Sequence, residues 1–234
     1  EKLVKAEKLA AIGELAASVG HDLRNPLTGI SGAVYYLKMK LISKMNPRSR
    51  EMLDLIEENV EYSNKIVNDL LDFSREMHLQ RIMVGVKSMI QETLAKITIS
   101  KKVEILDLTR NLPKVFVDAD RIKRVFENLV KNALEAMPKG GTLEIKSERV
   151  DGNLKITLQD TGIGISPQNL QKLFTPMFTT KAKGVGLGLA ICKRIIDAHG
   201  GTINIKSEEG AGTCVTVLIP IKKKNKEREV STNV

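Results

Sequence analysis

The sequence predicts an α+β protein: a helical hairpin that forms a dimeric four-helix bundle, then an α/β sandwich with a mixed sheet and three main helices. Three observations predict it. Apolar residues recur at alternating three- and four-residue spacing through residues 1–77, with few breakers. From about residue 82 the period changes to short apolar runs bounded by Gly, Pro, Asn and Asp. Helical stretches at roughly 86–97, 119–137 and 187–199 alternate with those runs, as in a mixed sheet covered by helices.

In the first segment Leu9, Ile12, Ala16, Val19, Leu23, Ile30, Ala33 and Leu37 fall on the a and d positions of one heptad frame. Pro26 takes a d position and is expected to kink the helix, because it lacks an amide donor and its ring clashes with the preceding turn. Asn46-Pro47-Arg48-Ser49 reads as a turn. Leu53, Ile56, Val60, Ser63, Val67, Leu70, Ser74 and Met77 then continue the spacing in a second, antiparallel helix. A lone hairpin of this kind has a poor core, so pairing into a four-helix bundle is the expected remedy. A plain dimerisation coiled coil has the same pattern.

The strand candidates are Val103-Glu-Ile-Leu-Asp-Leu, Lys114-Val-Phe-Val-Asp, Thr142-Leu-Glu-Ile-Lys-Ser, Leu154-Lys-Ile-Thr-Leu, Thr202-Ile-Asn-Ile-Lys and Cys214-Val-Thr-Val-Leu-Ile. Asp151-Gly152 between two of them is a hairpin signal. The expected organisation is a helical domain over 1–80, a sheet domain over 81–221 and a disordered basic tail over 222–234, with the boundary near 78–84.

With 234 residues the chain can form one large domain or two ordinary ones. The apolar fraction of 42% suits a globular protein. No apolar run approaches the ~20 residues that cross a bilayer, so no membrane contact is expected of this segment. Glu1 without a Met suggests a fragment of a longer, membrane-anchored or soluble sensor. Cys192 and Cys214 have no metal spacing, which favours a reduced, cytoplasmic setting. Part of the net charge of +9 sits in the tail at 222–228, and with no Trp and 3% aromatic content a nucleic-acid partner is disfavoured. The basic balance suits attraction of a nucleotide or an acidic protein partner.

Gly20-His21-Asp22-Leu23-Arg24-Asn25-Pro26 is a candidate site of covalent chemistry. His21 takes an f position, facing away from the seam, with Asn25 one turn further on the same face and Asp22 adjacent. An unprotonated imidazole is a nucleophile near neutral pH, Asp22 can orient its other ring proton, and Asn25 can position a water for the reverse hydrolysis. Taken alone, the segment is weak evidence, since a lone helical histidine followed by an acid is more often an ordinary exposed residue. His78 near the boundary and His199 before Gly200-Gly201 are expected to be structural.

A second group of signals fits a nucleotide. Asn128 and Asn132 share one helix face, where an amide oxygen is a hard ligand for Mg²⁺ and Lys131 adds positive charge for the phosphates. Asp160-Thr-Gly162-Ile-Gly164 follows a strand, and its carboxylate can accept from an exocyclic amine such as that of adenine, with glycines that let backbone approach the base. Gly184-Val-Gly186-Leu-Gly188 opens a helix whose free amides suit a phosphate. It is neither a dinucleotide fingerprint nor a P-loop. Residues 166–183, with Phe174, Phe178, Thr179, Thr180 and Lys181, read as a mobile lid with polar groups for the terminal phosphate. Alone, each of these is also a polar helix face or an ordinary strand-to-loop turn.

In this order and on these elements, the segments closely resemble a sensor histidine kinase of two-component signalling, over nearly all of residues 5–220. His21 to Pro26 resembles the phosphoacceptor box, 128–132 the asparagine box, 160–164 and 184–188 the two glycine boxes, and 174–178 the phenylalanine box. Phe178-Thr-Thr-Lys181 and the short lid look like the nitrogen-regulator branch. The resemblance implies a homodimer in which ATP, with Mg²⁺ held by Asn132, phosphorylates His21. Asp22 would be the base, Asp160 would meet adenine, and Thr213 would support Asp160. The phosphoryl group would pass to an aspartate of a response-regulator receiver domain, with Asn25 serving its later removal. The nucleotide domain also resembles gyrase, mismatch-repair and heat-shock-chaperone ATPases, in which a glutamate four residues before the metal asparagine activates water. Here that position is Asn128, which cannot act as a base. The comparison therefore favours a kinase over a free-standing ATPase, with a mainly phosphatase fragment or a nucleotide-responsive scaffold as the other readings.

Overall fold

The computed structural model describes residues 2–41, 43–74, 77–181 and 184–221, with side chains among them at Gly20 and from Asp22 onward. The tail expected over 222–234 lies outside the described residues. The chain divides into two compact units, Glu1–Glu76 with Lys181–Leu187 and Met77–Thr180 with Gly188–Val234.

The first unit is built on an antiparallel hairpin of α1 (Lys2–Leu41) and α2 (Pro47–Ser74). Its pairing is legible in the cross-links. Gly20 meets Leu71, Arg24 Nη2 donates to Asn68 Oδ1 at 2.8 Å, and Lys38 pairs with Asp54 at 2.6 Å and with Glu57. The helix α1 runs through Pro26 without a break. Of the turn expected at 46–49, only Asn46 stands outside a helix. Its Oδ1 accepts the Ser49 amide at 2.8 Å, and Pro47 takes the first helical position. A capping oxygen followed by a proline whose φ is already helical starts α2 earlier than the turn signal suggests.

The seam also differs from the expected heptad frame. Leu53, Val60 and Val67 are buried as expected, and Val34 of α1 and Leu71 of α2 are buried too, whereas Leu23, Ile30 and Ile56 are 46%, 43% and 42% exposed. Leu9, Ile12, Ala16 and Val19 lie outside the described side chains. The heptad frame marks the whole apolar width of each helix, and two helices cover only part of it.

The second unit is a five-stranded sheet in the order β2-β4-β5-β7-β6, from β2 (Val103–Leu108), β4 (Gly141–Val150), β5 (Asn153–Asp160), β6 (Thr202–Glu208) and β7 (Gly212–Pro220). Only β2 and β4 run parallel; the other neighbours are antiparallel. The mixed sheet matches the expectation, and so do the three main helices α3 (Val86–Lys96), α4 (Ala119–Ala136) and α6 (Gly188–Ala198). A short β1 (Ile82–Val84), not among the strand candidates, pairs with β3 (Val115–Val117). One turn of helix, α5 (Pro167–Leu170), interrupts the segment expected to be a lid. At the β4–β5 corner Asp151 and Gly152 both take positive φ, 48° and 76°, the twist that a two-residue hairpin needs.

Alternation on the strands sends one set of side chains toward the helices. Across β4, β5, β7 and β6 the register stacks these into rows: Ile145, Leu158, Val215 and Ile205 form one, and Ser147, Ile156, Val217 and Ile203 the next. Opposite them lie Ile122, Val125, Phe126 and Leu129 of α4 and Ile191, Ile195 and Ile196 of α6, all buried. The row beyond Ile145 and Leu158 is Leu143, Asp160, Thr213 and Ser207. Here the core layer turns polar on three adjacent strands.

Candidate functional site

In the helical unit, α1 carries His21, Asp22 and Asn25 within little more than one turn. The outward placement expected of the His21 side chain lies outside the described residues. Around it, Asp22, Arg24, Asn25 and Pro26 are exposed and Gly20 is buried. A Cβ added to Gly20 would stand 2.9 Å from Leu71 side-chain carbons, so a glycine here lets α1 lie close against α2 just before the histidine.

In the sheet unit, Asp160 ends β5 almost fully buried. Its Oδ1 accepts the Gly162 amide at 2.9 Å and the Thr213 amide at 3.2 Å. Oδ2 receives neither. Because no buried side-chain nitrogen or oxygen among the described residues lacks a partner, Oδ2 must reach solvent, available to a ligand's donor. Burial holds the Asp160 carboxyl above the usual carboxylate range, with the two amides pulling against it.

The loop after Asp160 is drawn tight against two neighbours. Ile163 N donates to Ala136 O at 3.0 Å, and a Cβ on Gly162 would come within 2.6 Å of the same carbonyl. Gly164 has φ +67°, and a Cβ there would collide with the backbone oxygen of Glu208. Any other residue at these positions pushes the loop away from the end of α4 or from the β6–β7 hairpin.

Asn128 and Asn132 are both half-buried on α4, and Lys131 between them is exposed. The first residue of α6, Gly188, lies against Asn128: an added Cβ would stand 3.3 Å from Asn128 Oδ1. Asn128, the end of α4, the Asp160 loop and the start of α6 are therefore brought together in one unit. Gly184, Gly186 and Lys181 belong instead to the helical unit, while Thr180 is exposed at the end of the sheet unit's segment. Within that segment Phe174 lies under Lys193 of α6, with Nζ 5.9 Å from the ring centroid, and Met177 takes φ 63°. Among the described residues no cluster of three or more His, Cys, Asp or Glu side chains could hold a metal.

At the far end of α4 and α6 the two helices are clasped. His199 is buried; its Nδ1 lies 2.7 Å from Ile195 O, and its Nε2 accepts the Asp118 amide at 3.0 Å. Asp118 caps α4 through the Arg121 amide and accepts the Gln80 amide at 2.9 Å, while Arg81 donates to Ala198 O. Burial lowers the His199 pKa, in keeping with a neutral imidazole that accepts at Nε2. The structural role expected of His199 is met by this clasp. Asp118 and Ser207 were not singled out in the sequence. For Asp118 the signal was a cap acid just before an apolar helix, and for Ser207 a polar residue where Ile203 and Ile205 set an inward alternation.

Comparison with known proteins agrees with both units. Residues 11–78 match the His Kinase A (phospho-acceptor) domain, and residues 117–223 match the histidine kinase-, DNA gyrase B-, and HSP90-like ATPase family. The chain is 36% identical over 225 residues to the signal transduction histidine-protein kinase AtoS of Escherichia coli K12, covering 94% of this chain and 36% of that protein. It is 37% identical over 222 residues to sporulation kinase D of Bacillus subtilis 168, covering 93% of this chain and 43% of that protein. The chain thus spans less than half the length of these curated relatives. Among solved structures, the catalytic domain of histidine kinase ThkA is 35% identical with a TM-score of 0.54, covering 62% of this chain and 97% of that one. ThkA in complex with the response regulator protein TrrA is 31% identical with a TM-score of 0.66, covering 93% of this chain and 64% of that one. With a phospho-acceptor hairpin and an ATPase-type sheet unit in one polypeptide, the chain belongs to the histidine kinase family.

Proposed function

We propose that this chain is the catalytic core of an ATP-dependent protein-histidine kinase that phosphorylates His21 and passes the phosphoryl group to an aspartate of a response-regulator receiver domain. The observation that carries the reading is the union, in one chain, of a family-matched phospho-acceptor helix bearing His21 with a sheet unit whose buried Asp160 keeps one carboxylate oxygen open to solvent. Adenine's amine would donate to Asp160, and the phosphates would lie between α4 and the start of α6. Asn132, with Asn128 and Lys131 beside it, suits Mg²⁺, which supplies charge neutralisation at the transferring phosphate when bound. Gly184, Gly186, Thr180 and Lys181 would close on the phosphates. In the transfer, a His21 ring nitrogen uses its lone pair to form the N–P bond as the bond to the bridging oxygen of ADP breaks, and Asp22 takes the other ring proton. Asn128, which cannot take a proton from water, favours transfer over hydrolysis.

The second step suits a phosphatase activity as well, since Asn25 is exposed one turn beyond His21. The exposed Leu23, Ile30 and Ile56 suit a homodimeric four-helix bundle. The domain limits 1–80 and 81–221 and the nitrogen-regulator character of residues 178–181 belong to the same proposal. Incubation with γ-labelled ATP and Mg²⁺ tests it. Acid-labile, base-stable label on the chain is the expected result, and acid-stable label would contradict it. Dephosphorylation of a phosphorylated receiver domain is expected to slow in Asn25→Ala.

A further inference from the structure

The register that ends the core on Asp160 also lines up Thr213 and Ser207 beside it on the next two strands. Three polar contacts converge on Ser207 Oγ: the Ile165 amide at 2.9 Å, Gly212 O at 2.8 Å and Thr213 Oγ1 at 2.9 Å. A serine hydroxyl has one proton and two lone pairs. The Gly212 carbonyl can only accept, so it takes the proton. The Ile165 amide can only donate, so it takes one lone pair. One lone pair remains for Thr213, and the Thr213 hydroxyl must therefore be the donor. Its proton is turned toward Ser207, and what that hydroxyl has left is acceptor capacity alone.

Next to it, Asp160 Oδ1 is engaged by two amides and Oδ2 reaches solvent, so Asp160 too offers only an acceptor. We propose that Ser207 is a positioning residue for base selection: by holding the Thr213 proton it keeps the end of the polar row acceptor-only toward a purine's 6-position, which fits a 6-amino group and opposes a 6-oxo group. The proposal rests on the reading of this unit as the ATP site. Without the Ser207 hydroxyl, Thr213 is free to rotate and donate to a purine carbonyl, which removes part of the penalty on the wrong base. Loss of the Ile165 anchor would affect every nucleotide alike, so a purely structural serine lowers affinity without changing preference.

The test is the ratio of dissociation constants for ATP and inosine triphosphate, whose base has a 6-oxo group and a proton on N1 in place of the 6-amino group and bare N1 of adenine, with Mg²⁺. Ser207→Ala is expected to reduce the preference for ATP by about tenfold, the scale of one hydrogen bond made or opposed. Ser207→Thr, which restores the hydroxyl, is expected to keep it. In a Thr213→Val background, Ser207→Ala is expected to change the ratio no further. Equal weakening of both nucleotides by Ser207→Ala, or an undiminished second drop in the Thr213→Val background, would overturn the proposal. Should Ser207→Ala give no cooperative melt, Ser207→Cys, with its weaker donor and acceptor, carries the same comparison. A wild-type chain that binds ATP no better than inosine triphosphate would overturn the reading of Asp160 as the adenine contact, and one that binds neither would overturn the nucleotide-site reading itself. A clear wild-type preference left unmoved by the serine variants would overturn this proposal alone.

Discussion

The role proposed for Asp160 rests on a conflict between burial and charge. The strand register buries it as the last inward residue of β5, burial raises its pKa, and two amides on Oδ1 offset part of that cost. Asp160→Asn keeps the volume but replaces a charged acceptor by an amide, and ATP affinity is expected to fall about 10- to 100-fold in a fluorescent-nucleotide displacement assay. Since acidification protonates the carboxyl, ATP affinity of the native chain should begin to fall above the ordinary carboxylate range as pH is lowered, and Asp160→Asn should lose that limb. Asn128 makes the opposite case, a side chain informative for the proton it cannot accept. Asn128→Glu is expected to raise ADP production in a coupled assay with no gain in histidine phosphorylation. Both residues were legible in the sequence because each sits in a motif whose chemistry depends on residue type. Ser207 was not, because its role follows from which strand lies beside it and from the allocation of a single proton.

Among the elements, α4 and α6 matter most, since they meet at two places: Gly188 against Asn128, midway along α4 and near the proposed site, and His199 with Asp118 at the far end. A neutral His199 is required there, and its folded pKa lies below the ordinary 6.5. The unfolded chain therefore binds the extra proton first. The stability that His199 contributes is complete above about pH 6.5 and is lost as pH falls from there through the lowered folded pKa. Arg81, Asp118 and the Ile195 carbonyl are the groups that face it. Melting of the sheet unit should fall between pH 7 and pH 5, and His199→Gln should flatten that fall; an unchanged slope would assign it to other groups. Deeper in the core, Ile156 of β5 is fully buried between Ser147 and Val217. Ile156→Ala is expected to cost about 2–5 kcal/mol in urea unfolding. The helices and most strands were readable from their periods, because amphipathic α4 and the alternating strands declare the face they bury. Strand β1 was not, for Ile82, Met83 and Val84 form too short a run to show a period without their β3 partners.

At the scale of the molecule, the heptad frame identified a hairpin but not which part of each helix closes it. Val34, Leu53, Val60, Val67 and Leu71 are buried within one chain, while Leu23, Ile30 and Ile56 remain exposed and suit a second copy. Light scattering should find a dimer, and Ile56→Lys should shift it toward monomer, with an unchanged mass contradicting the four-helix bundle. The joining of a phospho-acceptor hairpin to a nucleotide unit is what separates this chain from a plain ATPase, and two variants test that union most directly. With γ-labelled ATP and Mg²⁺, the native chain should become labelled. His21→Gln should bind ATP normally yet take no label, and Asp160→Asn should lose label together with binding. Label that persists on His21→Gln would contradict the account.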